Sequence, residues 1–231
     1  MNQTLFGVYP YIAAAIFLLG SLARFEYGQY TWRSGSSQLL RRRMLTIGSN
    51  CWHIGVLAIL AGHFVGLLTP HWLYTGIGIT VWAKQLAAMS FGGAAGLLAF
   101  FGLSLLIYRR LSDPRIRATS SRMDIAILLM LWAQLSMGLG SILVSAQHLD
   151  GSEMLKLADW AQRIVTFRPG AAAAMADTSL IFKLHILLGL TIVAVFPFSR
   201  LVHIWSVPVT YPTRRYQVVR RRGGVTRAGR P

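Results

Sequence analysis

IGSNCWHIGVLAILAGHFVGLL, residues 47–68, is an uncharged run interrupted only by two histidines, His53 and His63. A helix needs about 20 predominantly apolar residues to cross a bilayer, and this stretch qualifies. Four more stretches of similar character lie around it, at about 5–23, 85–108, 125–146 and 178–205. The uncharged tract from Met44 to Ala83 is too long for one span, and Thr69-Pro70 divides it, leaving 69–83 as an external, partly interfacial loop. Composition agrees: 54% of the residues are apolar, 13% are charged and the mean hydropathy is +0.50. Soluble domains carry about a quarter charged residues. The fold class is therefore all-α, a polytopic membrane protein with five transmembrane helices.

A net charge of +16 raises the question of nucleic acid, and its distribution answers it. Of 23 basic residues, 18 fall after the first span, after the third span or from Arg200, near the end of the fifth, onward. A nucleic-acid binder presents such charge on a polar domain, whereas charge at the ends of apolar segments orients them in a membrane. Basic loops stay in the cytoplasm, which places the N-terminus outside and the C-terminus inside, with 69–83 and 147–177 as outer loops. Asp150, Glu153, Asp159 and Asp177 all fall in the second of these. The first span reads as uncleaved, since no basic region precedes it. Residues 1–221 read as one membrane domain and 222–231 as a basic, disordered tail. Cys51 is the single cysteine, so there is no internal disulfide, and Cys51-Trp52-His53 is not the CxxCH motif of covalent haem attachment.

Two histidines on span two face two on span five, His185 and His203. One intramembrane histidine reads as a hydrogen-bonded packing residue. Two on each of two helices read as bis-histidine haem ligation, because ionisable groups are costly in hydrocarbon and concentrate at functional sites. The two spans run in opposite directions. His63 therefore pairs with His185 near the outer face and His53 with His203 near the cytoplasm. Imidazoles on both faces of an iron give a low-spin centre suited to electron transfer. The spacing is awkward: ten residues on one helix give about 15 Å of rise and about 80° of turn, while 18 on the other give about 27 Å on one face. Tilted haems, crossed helices or a bend at Pro197 would absorb the difference. Gly55, Gly62, Gly66 and Gly189 sit beside the histidines and leave room for a flat macrocycle. Gly92 and Gly96 read as helix-packing residues. His71 and His148 read as loop-packing residues, and Lys183 as a side chain reaching toward headgroups. Lys84, at the outer mouth of span three, is open to two readings, headgroup contact or hydrogen bonding to a quinone oxygen. Arg109 and Arg110 read as topology anchors or as partners for haem propionates.

YPYIA (9–13), GQYTWR (28–33), GHFVGLLTPHW (62–72), FGGAAG (91–96), AQHLDGSEM (146–154), IFKLH (181–185) and FPFSRLVHIWSVPV (196–209) together carry a resemblance to a known family. The chain closely resembles the gamma subunit, a cytochrome b, of membrane-bound respiratory nitrate reductases. That resemblance implies two non-covalent b haems, ligated by His53 with His203 and by His63 with His185. It implies oxidation of ubiquinol or menaquinol near the outer haem, at Gly62, His63 and Lys84. It also implies electron transfer to an iron–sulfur beta subunit and a molybdenum-containing alpha subunit at a bacterial cytoplasmic (inner) membrane. Nitrate rests on the resemblance alone. The alternatives are a diheme quinol-oxidising cytochrome of a different reductase, and a transporter or passive anchor with histidines for proton relay.

Overall fold

The computed structural model describes residues 1–28 and 40–206, so the 222–231 tail, all of GQYTWR after Gly28 and the closing VPV (207–209) lie outside the described residues. A π-helical turn, Gln3–Val8, leads into α1 (Tyr9–Gly28). It is followed by α2 (Arg42–Leu68), α3 (His71–Gly76), α4 (Val81–Ser112), α5 (Pro114–Ala118) and α6 (Arg122–Ser145). Then come α7 (Ser152–Val165), α8 (Ala171–Ala174) and α9 (Leu180–Val195). The chain continues as two 3-10 turns, Phe196–Phe198 and Arg200–Ser206. Among the described residues, five helical segments are long and apolar enough to cross a membrane, Gln3–Gly28, Arg42–Leu68, Val81–Ser112, Arg122–Ser145 and Leu180–Phe198. Large apolar side chains such as Leu19, Leu57, Phe64, Phe91 and Leu97 point outward from the bundle, as a lipid-facing surface requires.

The spans overrun their apolar stretches because helices end at caps and not where hydropathy changes. Thr80 accepts from the Ala83 amide at 3.1 Å and starts α4 three residues before Lys84. Asp113 accepts from the amides of Arg115 and Ile116 and stops α4 by opening α5. Ser121 and Asp124 form a reciprocal capping box that starts α6. The outer loops expected at 69–83 and 147–177 contain α3, α7 and α8.

The fifth span departs most from expectation. A single helix over 178–205 does not form, and the α-helix stops at Val195. Pro197 lacks an N–H and its ring clashes with the preceding turn, so the chain tightens to 3-10 geometry and becomes extended at Ser199. The carbonyls left free are taken up by α1, where Arg24 Nη1 donates to Pro197 O at 2.6 Å and Ser199 O at 3.0 Å. Gly20 makes room for the corner, since a Cβ there would stand 2.9 Å from the Pro197 ring.

Helices α2 and α4 pack in an antiparallel seam of small residues. A Cβ on Gly55 would lie 2.6 Å from the Ala99 nitrogen and 2.7 Å from the Ala95 oxygen. Gly55 thus serves backbone approach to α4 and not a macrocycle, correcting the sequence reading. Gly96 does pack, its Cβ position 2.7 Å from Leu139, but Gly92 faces open space.

At the loop-rich end α7 lies across the other helices. Trp160 Nε1 donates to Phe6 O at 2.9 Å, and Gln162 Nε2 donates to Leu67 O at 2.9 Å, covering a carbonyl that the end of α2 leaves unpaired. Glu153, buried, accepts from Lys156 Nζ at 3.0 Å and from the Ser179 amide at 3.2 Å, which ties α7 to the start of α9. Burial pushes its carboxyl up, but the hydrogen bonds from Lys156 and Ser179 and the Lys156 charge outweigh that, and the net shift is downward from 4.5. A depressed folded pKa means the contact stabilises above the ordinary carboxylate range and is lost as pH falls through the folded value. Protease cleavage within 147–177 should therefore accelerate in native protein below about pH 4.5, and Glu153→Gln should flatten that dependence. Identical cleavage profiles at pH 7 and pH 4 in the native protein would contradict this tie.

Candidate functional site

His53 and His63 project from α2, His185 from α9 and His203 from the second 3-10 turn. The rings of His63 and His185 stand 6.2 Å apart at 30°, and those of His53 and His203 stand 6.4 Å apart at 81°. These are the partners that the opposed chain directions pair. A metal–imidazole bond is about 2 Å, and adding about 1 Å from nitrogen to ring centre on each side separates two axial rings by about 6 Å. Both pairs have that spacing. Two protein ligands suffice for iron when a macrocycle supplies the other four. Among the described residues no group of three or more His, Cys, Asp or Glu gathers as a bare metal site would need.

In each of the four, Nδ1 meets a backbone carbonyl. His53 reaches Ser49 O at 2.7 Å, His63 reaches Ile59 O at 2.9 Å and His203 reaches Arg200 O at 2.6 Å. His185 reaches across to Gln134 O of α6 at 3.1 Å. A carbonyl accepts only, so Nδ1 carries the proton and the Nε2 lone pair is left for metal. His148 shows the same bond, to Val144 O at 3.1 Å, so this tautomer alone does not mark a ligand. Unlike the other four, His148 faces no second imidazole among the ring contacts of the described residues, and neither does His71, which meets Tyr74.

The break at Pro197 accounts for the spacing mismatch. From His185 to Val195 is ten residues, the same as from His53 to His63, and both advance about 15 Å. The eight residues that follow turn a corner instead of extending the helix, and His203 returns to the depth of His53. Of the three ways to absorb the difference, the structure shows the bend at Pro197.

The remaining residues divide. A Cβ on Gly62 or Gly66 would meet nothing within 4 Å, which leaves the surface beside His63 open. Gly189 accommodates Gln134, whose Nε2 would lie 3.1 Å from its Cβ position. Lys84 Nζ lies 4.1 Å from the ring centre of Tyr74, a cation–π contact, and His71 meets the same ring edge-on at 5.1 Å. Tyr74 is buried, its hydroxyl has no partner among the described residues, and desolvation raises its pKa. The α2–α4 register places Lys84 roughly 5–10 Å beyond His63 toward the loop-rich end. Lys183 turns to Ala176 O at 2.8 Å. Arg109 is buried and donates to Leu40 O at 2.7 Å, tying α4 to the entry of α2. Arg110 donates to Ser120 Oγ at 2.7 Å. Sequence reasoning passed over Arg24 and Gln134. An amide in the middle of a span is the signal that marks Gln134, by the same cost argument that marks the histidines.

The nitrate reductase gamma subunit family model matches residues 2–222. The chain is 53% identical to the respiratory nitrate reductase 1 gamma chain of Escherichia coli (strain K12), covering 96% of this chain and 98% of the relative. It is 51% identical to the respiratory nitrate reductase 2 gamma chain of the same organism, over the same shares. It is 38% identical to the nitrate reductase gamma chain of Bacillus subtilis (strain 168), over 96% and 99%.

If the corner against α1 sets the depth of His203, Gly20→Val should displace Pro197 and spoil one histidine pair while sparing the other. If each pair holds a haem, haem per chain in purified membranes should fall by about half, a ratio readable from the pyridine haemochrome spectrum. Unchanged stoichiometry would show that the corner tolerates displacement.

Proposed function

The chain belongs to the nitrate reductase gamma subunit family, and on that premise we propose that it is the diheme, quinol-oxidising cytochrome b of its complex. Five membrane-crossing helices make it the membrane subunit of a nitrate reductase enzyme. The observation that carries the diheme reading is the pair of imidazole separations, 6.2 and 6.4 Å. His63 and His185 hold one b-type haem near the loop-rich end, and His53 and His203 hold the second near the arginine-rich end. When bound, the two haems supply one-electron carriers at two depths of the bilayer.

The arginine-rich end faces the cytoplasm by the positive-inside rule, and the N-terminus with α3 and α7 faces outward. Ubiquinol or menaquinol docks on the open surface at Gly62 and His63. Lys84, held over Tyr74, donates a hydrogen bond to a quinol oxygen. Oxidation of one quinol to quinone releases two protons outward and two electrons inward. The electrons leave at the cytoplasmic face to an iron–sulfur beta subunit and reach a molybdenum-containing alpha subunit, where nitrate is reduced. The cytoplasmic arginines exceed what topology needs, and some of them contact those subunits. Separation of charge across the bilayer makes turnover electrogenic.

The direct test is the optical spectrum of the intact complex. Quinol should produce intense b-type Soret and alpha bands, and nitrate should bleach them; no quinol-reducible haem would rule the reading out. His63→Ala and His185→Ala should each remove one and the same haem, and His53→Ala and His203→Ala the other. Loss of the same haem from His53→Ala and His185→Ala would break the pairing. Lys84→Ala should retain both haems and slow their reduction by quinol about 10- to 150-fold, the range for losing one charge-assisted hydrogen bond.

A further inference from the structure

Three of the four histidines take the carbonyl for Nδ1 from their own segment, three or four residues back. His185 alone takes it from a neighbouring helix, from Gln134 O on α6. A carbonyl inside an α-helix already accepts one bond from the amide four residues on, and a second donor from another helix reaches it where the intervening surface is bare. That surface is bare because residue 138, four residues after Gln134, is glycine. Side chains on a helix lean toward its N-terminus, so a Cβ at 138 would project over the Gln134 carbonyl. It would stand 3.1 Å from His185 Cε1, closer than the ring accepts without shifting.

The side chain of Gln134 adds a second hold. Its Nε2 lies 3.3 Å from His185 Nε2, which must accept because Nδ1 donates. The amide fits the notch left by Gly189, one turn along α9 from the histidine. Its Oε1 is buried and has no donor among the described residues. Iron would take the Nε2 lone pair, so both ends of this amide become polar groups at the edge of the centre with no water to satisfy them.

We propose that Gln134 and Gly138 of α6 are positioning residues for His185: the carbonyl exposed by Gly138 fixes the tautomer, rotation and basicity of that ligand, and the Gln134 amide wedges its ring. The proposal rests on the diheme reading above. It makes the electronic character of one haem depend on a helix that supplies no ligand. An Nδ1–H···O=C bond raises the basicity of the coordinating nitrogen and favours the oxidised metal. Loosening it raises the midpoint potential.

The experiment compares Gly138→Ala, Gln134→Leu and His185→Ala with the unaltered protein in the intact complex, reading haem stoichiometry, ferric EPR g-values and redox titration. His185→Ala identifies the haem concerned by removing it; retention of both haems there would overturn the ligand assignment itself. Gly138→Ala should shift the g-values of that haem and raise its potential, or lose that haem alone. Gln134→Leu keeps the carbonyl and the helix, and it too should shift the g-values and potential of that haem and leave its neighbour unchanged. Native g-values and potentials for both haems in either variant would overturn the proposal while leaving the diheme reading intact. A shift confined to the haem that His185→Ala retains would also overturn it.

Discussion

Two carbonyls freed where α9 ends are held by Arg24 of α1, and the geometry of one histidine pair depends on that contact. In hydrocarbon an unpaired backbone group costs several kcal/mol, so a helix breaks inside a membrane protein only where another element satisfies the break. Pro197 forces the interruption and Arg24 stabilises it. Gly20 lets the corner lie against α1. With the corner in place, eight residues turn back on themselves and His203 faces His53. Without it, a continuous helix would carry His203 about 12 Å further along.

The same requirement organises the opposite end. α7 is polar on one side and apolar on the other, and it lies over the helix ends with Gln162 and Trp160 donating to carbonyls of Leu67 and Phe6. The surface at Gly62 and Gly66, beside His63, stays open. Lys84 Nζ stands over the buried Tyr74 ring at the same end.

The α2–α4 seam contributes rigidity to this arrangement. Gly55 brings the α4 backbone against α2 two residues beyond His53, on the stretch between its two histidines. Histidines ten residues apart on a well-supported helix keep their separation, so adjustment falls to the facing side. There, α9 and the corner after it adapt, supported by α6 and α1.

Hydropathy and charge by themselves determined the five spans, because both follow from the transfer cost of each residue and need no knowledge of contacts. The pairing of histidines was equally legible, since chain direction alternates with each crossing. Helix ends were not, because caps such as Thr80 and Ser121–Asp124 override hydropathy at a boundary. The role of each glycine was not legible either. Gly55 and Gly62 look alike in sequence, and only the neighbour across the gap, α4 or open surface, separates them. Pro197 announced a possible bend, but whether an ideal helix, a kink or a corner forms depends on Arg24 and Gly20, more than 170 residues away. Only the tertiary structure could decide that, because the partner that satisfies a broken helix is remote in sequence.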